Sequence, residues 1–149
     1  MQNRDIFAKD PLEHSLINNG VAEVTEEHSE QELKKLRYEL ETFVCEGQYA
    51  KGLDRILESF LNKLGRSSEQ PGVWISGFYG SGKTHLAKVL RALWINCEFP
   101  DGAKARDIVE LPDHIQAHFR ELAIQEKKYG GTHAAAGKLG SSAGANVRM

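Results

Sequence analysis

The 149-residue chain has little cysteine. Cys45 and Cys97 lie far apart and outside any CxxC or Cys/His spacing, so neither a disulfide framework nor a zinc site is expected, and a reducing cytoplasm fits best. Long apolar runs are missing: no stretch approaches the ~20 residues that span a bilayer. The opening MQNRDIFAKD has no apolar centre and does not read as a signal peptide. An excess of one charge is missing too. Nineteen basic against 21 acidic residues leave a net charge of -2, and no block of like sign stands out. The footprint of a dedicated DNA-binding domain is therefore lacking, although the balance neither demands nor forbids a nucleic-acid contact. What is present in quantity is apolar material, 40% of the residues, enough for a modest core in one domain or one domain plus an extension.

The pattern of those apolar residues divides the chain. In "HSLINNGVAEV", Asn18-Asn19-Gly20 reads as a turn between two short strands. Ser29 and Glu32 have capping-box spacing, and Leu33, Leu36, Leu40, Phe43 and Val44 follow as a helical stripe to be buried. After Gly47 a second helix, about Tyr49 to Leu64, carries Leu53, Ile56, Leu57, Phe60, Leu61 and Leu64, with Gly65 as its C-cap. "VWIS" (Val73–Ser76) reads as a buried strand. Thr84 to Asn96 reads as a helix with Leu86, Val89, Leu90, Leu93 and Trp94 on one side. "CEFPDGAKARD" reads as a loop, and Asp113 to Lys128 as a helix with Ile115, Phe119 and Leu122, Pro112 at its start and Gly130-Gly131 past its end. The Gly/Ala/Ser-rich tail offers one small-residue strand, Thr132–Ala136.

Between the VWIS strand and its helix lies Gly77-Phe78-Tyr79-Gly80-Ser81-Gly82-Lys83-Thr84, a full match to G-x-x-x-x-G-K-[ST]. A polyphosphate needs donors that replace its water. Backbone N–H groups supply them when the chain curls without Cβ obstruction, and the following helix aims its positive end at the anion. Lys83 is then the point charge for the β- and γ-phosphates, and Thr84 the Mg²⁺ ligand. Phe78 and Tyr79 are bulky for such a loop. Packing against the sheet end is the favoured reading, a base or partner contact the alternative. His85 reads as a packed or surface residue beside the metal ligand.

Hydrolysis requires more than this loop. The acidic strand end that holds Mg²⁺ and orients water has only a weak counterpart in Ile108-Val109-Glu110. No arginine stands out as a finger; Arg91, Arg106, Arg120 and Arg148 read as surface residues. "GKLGSSAG" (Gly137–Gly144) matches no phosphate-loop template and reads as a loop. The expected fold class is α/β: a P-loop NTPase strand–loop–helix core with an N-terminal helical pair. Residues 1–70 would form the extension and 71–149 the start of the ATPase domain. One good strand is too few for a doubly wound sheet, so the sheet is expected to be incomplete and the chain to be the front of a longer ATPase.

Taken together, "RDIFAKD", "LDRILESFLNKLG", "VWISGFYGSGKTH" and "GGTHAAAGKLGSSAG" resemble the N-terminal region of the large BrxC/PglY-like P-loop ATPases of the BREX and phage-growth-limitation defence systems. The resemblance implies ATP as nucleotide with Mg²⁺, held by Gly77 to Thr84. It implies hydrolysis in the full-length protein only, and work alongside a methyltransferase and a phosphatase-like protein, in the cytoplasm, with a possible oligomer. Two rival readings stay open: a P-loop small-molecule kinase, and an inactive module whose two N-terminal helices dock a partner.

Overall fold

The computed structural model describes residues 29–64 and 71–136. The expected turn at Asn18–Gly20, the Gly65 C-cap, Arg148 and the Gly137–Gly144 loop lie outside them. Ser29 starts the first helix as its spacing predicts. Its hydroxyl accepts from the Glu32 N–H at 3.3 Å, and its own N–H donates to Glu32 Oε2 at 2.9 Å, so two of the helix's orphan donors are satisfied reciprocally. Helix α1 runs Glu30–Glu41 and buries Leu36 and Leu40. It stops short of Phe43 and Val44: Phe43 is buried from the following turn, whereas Val44, expected in the stripe, is 64% exposed. Helix α2, Gly47–Lys63, buries Leu53, Ile56 and Leu57.

Helix α3, Lys83–Trp94, buries Leu86, Val89, Ala92 and Leu93. A short helix α4, Ala105–Ile108, lies in the segment expected to be a plain loop. Helix α5, Asp113–Tyr129, buries Ile115, Phe119 and Leu122. It ends on Gly130 at φ 83°, with the Gly131 N–H donating back to the Glu126 carbonyl at 2.9 Å, a left-handed close that glycine makes without strain. These apolar faces form one cluster to which all five helices contribute, with Phe99, Val109 and Leu111 from the connections. α2 packs most extensively against α5, and fully burying each leucine is worth ~1.5–3 kcal/mol.

The expected α/β sheet is absent among the described residues. Among the described residues the only β pairing is an isolated bridge between Glu98 and Lys104. Val73–Ser76 has no ladder partner, and Trp74 is 90% exposed. Thr132–Ala136 is not a strand either: His133 to Ala136 and Val73 with Ile75 line a shared cavity of about 620 Å³ instead of pairing. The physical reason is small side chains. Three consecutive alanines offer little apolar area with which to hold a second strand against the first. Ile108-Val109-Glu110 likewise forms no strand, since Ile108 closes α4 and Glu110 is exposed.

A polar tie holds the far end of α3. Arg106 donates from Nε to the Leu93 carbonyl at 2.8 Å and from Nη2 to the Trp94 carbonyl at 2.8 Å. It also pairs with Glu126 of α5 at 2.7 Å and lies over the Phe119 ring. Its side chain is only 11% exposed, which corrects the expectation of a surface residue. By contrast Arg37, paired with Glu41 and Asp101, is 37% exposed. Arg106→Leu takes one donor from each of the Leu93 and Trp94 carbonyls and the cation from Glu126, leaving the Asn96 N–H on Leu93 and a single Thr132 hydroxyl shared by Trp94 and Glu126. It is expected to cost about 2 kcal/mol in urea unfolding, whereas Arg37→Leu, at a solvent-exposed pair, should shift the urea midpoint much less.

Candidate phosphate-binding loop

The run Gly77–His85 leads into α3, whose first residue is Lys83, one position earlier than the sequence suggests. Gly80 and Gly82 sit at φ 78° and 76°, in the left-handed region that costs other residues ~1–2 kcal/mol. These two turns curl the chain. The Ser81 N–H donates to the Phe78 carbonyl at 3.2 Å. Lys83 folds back into the curl, its ammonium donating to the same carbonyl at 2.6 Å and standing 3.5 Å from Ser81 Oγ. The loop is thus closed around a cation, immediately in front of a 12-residue helix whose leading N–H groups have no intrahelical acceptor.

Helix α2 supports the loop from outside. The Tyr49 hydroxyl, in the first turn of α2, donates to the Ser81 carbonyl at 2.9 Å. It lies so close to Gly82 that a Cβ there would stand 2.1 Å from the Tyr49 oxygen. The ring is set edge-on to Phe43, with centroids 5.9 Å apart. Between α2 and the loop approach is a cavity of about 800 Å³ lined by Tyr49, Arg55, Trp74, Ser76, Ser81 and Lys83, among others. It places Arg55 and Lys83 along one space with three serines, Ser59, Ser76 and Ser81, an arrangement suited to an anion.

Thr84, the expected metal ligand, is exposed at the start of α3. No three His, Cys, Asp or Glu side chains gather into a metal site among the described residues. Mg²⁺ does not require such a group, because it keeps several waters and shares substrate phosphates. Phe78 and Tyr79 are 91% and 96% exposed, so neither packs as expected; with no sheet end beside them, both rings point into solvent. His85 is half-buried, with its ring 5.8 Å from that of Phe43. Burial lowers its pKa. Glu39 acts in the opposite sense and Lys88 adds to the lowering, those two being an ion pair between α1 and α3.

The structure therefore brings Ser81, Gly82 and Lys83 together, leaves the rings of Phe78 and Tyr79 exposed, Phe78 at the border of the cavity, and adds two contributors that the sequence did not single out. Tyr49 and Arg55 sit on a helix whose apolar stripe is legible, but no local signal says that the Tyr49 hydroxyl reaches Ser81 some thirty residues on, or that Arg55 lines the same cavity as the loop. No family model matches the sequence, and no solved structure matches the chain.

Two outcomes follow from this geometry. Gly82→Ala must hold a left-handed conformation and displace the Tyr49 oxygen, so it should lower stability by ~1–3 kcal/mol in urea unfolding. His85 has a folded pKa below its unfolded value, so near pH 6 the unfolded chain binds more protons and stability rises with pH. The urea midpoint should therefore fall as pH drops below about 6.5, the unfolded histidine value. That dependence should flatten in His85→Phe, which keeps an aromatic ring against Phe43.

Proposed function

We propose that the chain binds ATP·Mg²⁺ through the loop Gly77–Thr84. The observation that carries this reading is the conjunction of a full G-x-x-x-x-G-K-T match with left-handed glycines at 80 and 82 and a Lys83 ammonium turned into the curl they make. In the bound state Lys83 exchanges the Phe78 carbonyl for phosphate oxygens, and the first N–H groups of α3 face the anion. Thr84 would hold Mg²⁺ through its hydroxyl, and the ion would supply neutralisation of the phosphate charge.

In the wider setting that the sequence resemblance suggests, this is the ATP-binding part of a large cytoplasmic phage-defence ATPase. It would work with a methyltransferase and a phosphatase-like protein. Hydrolysis would belong to that full-length protein, because Glu110 ends no strand among the described residues and offers no acid for orienting water. Among the described residues no helix is long and apolar enough to cross a membrane.

The test is calorimetric titration with ATP in the presence of Mg²⁺. The wild-type chain should bind, and Lys83→Ala should weaken binding at least about 100-fold, the loss of a charge-assisted contact worth ~3 kcal/mol, while its helical circular dichroism is unchanged. Equal affinity of the two proteins would overturn the proposal.

A further inference from the structure

We infer that the Tyr49 hydroxyl is a positioning group for the phosphate loop, setting the orientation of the Ser81–Gly82 peptide so that its N–H is presented to the anion. This rests on the ATP-binding reading above. The carbonyl of Ser81 and the N–H of Gly82 belong to one planar trans peptide and point in opposite directions. With the carbonyl held by Tyr49 at 2.9 Å, the Gly82 N–H is turned away from α2 and toward the loop's other side. A glycine at left-handed φ is the residue most able to let its preceding peptide flip, so without the phenol this unit has the least resistance to rotating its carbonyl into the place where an anion needs a donor.

The support is rigid. Tyr49 rises from the first turn of a 17-residue helix that is buried at Leu53, Ile56 and Leu57. Its ring is braced by Phe43. Its oxygen stands within 2.1 Å of where a Gly82 Cβ would be, so the contact and the absence of a side chain at position 82 depend on each other. Tyr49 touches no reacting atom in this arrangement; it acts through Ser81.

The experiment uses the full 149-residue chain and two probes, ATP and inorganic tripolyphosphate, each with Mg²⁺. Tyr49→Phe keeps the ring and its contact with Phe43 and removes only the donor. It should weaken both probes by the same factor, about 5-fold, the worth of one neutral hydrogen bond. The amide resonances of Ser81 and Gly82 should shift in the variant even without ligand. Unchanged affinity for both probes, or unchanged amide resonances, would overturn the inference while leaving ATP binding intact. So would a loss for ATP alone, because it would make Tyr49 a contact of the nucleoside instead. A wild-type chain that binds neither probe overturns the proposed function itself, and the inference with it.

Discussion

Helix α3 has to be seated at both ends before anything in front of it can be positioned, and the two seats are of different kinds. At its C-terminus Arg106 bonds the Leu93 and Trp94 carbonyls and reaches across to Glu126. At its N-terminus the Tyr49 phenol bonds the Ser81 carbonyl one residue before the cap. Between them the buried face Leu86, Val89, Ala92 and Leu93 is pressed into a core that, among the described residues, is made by helices and their connections. In the described residues no ladder of backbone hydrogen bonds braces the loop. Its geometry depends on side chains that reach in from α2 and from within the loop.

That dependence gives the loop a particular electrostatic character. Lys83 satisfies itself on a backbone carbonyl and a serine hydroxyl, so the cation is kept in place by neutral partners rather than by a carboxylate. A neutral acceptor holds an ammonium more weakly than a phosphate does, so exchange toward a polyanion is downhill in that contact. Glu39 is paired with Lys88 between α1 and α3. Burial is the largest influence lowering the His85 pKa, with the Glu39 charge opposing it and Lys88 adding to it.

Much of the helical layout was legible in the sequence because its causes are local. The Ser29/Glu32 capping box, the stripes at Leu53–Leu57 and Ile115–Leu122, and the glycine stop at Gly130 all act within four or five residues. The loop motif was legible for the same reason. The sheet was not, because strand pairing is decided by what arrives from elsewhere: Val73–Ser76 has a strand's composition, yet the segment facing it brings His133 and three alanines, little apolar area to pair with. Arg106 looked like a surface residue because its acceptors lie 12 and 13 residues back and its carboxylate partner 20 residues on. Phe78 and Tyr79 were expected to pack because their size suggested it, and with no sheet end to cover they stand in water. The additional helix at Ala105–Ile108 is too short to leave a periodic trace.

The two indole rings of the chain occupy opposite surroundings. Trp94 is half-buried at the end of α3, edge-on to Phe60 with centroids 5.2 Å apart, while Trp74 stands 90% exposed on the approach to the loop. One fluorophore is therefore shielded by the core and the other is bathed in solvent beside the cavity. A soluble quencher will dim Trp74 first. The remaining light then reports on the helical body, and the quenched fraction reports on the stretch that leads to Gly77, with no label added to either.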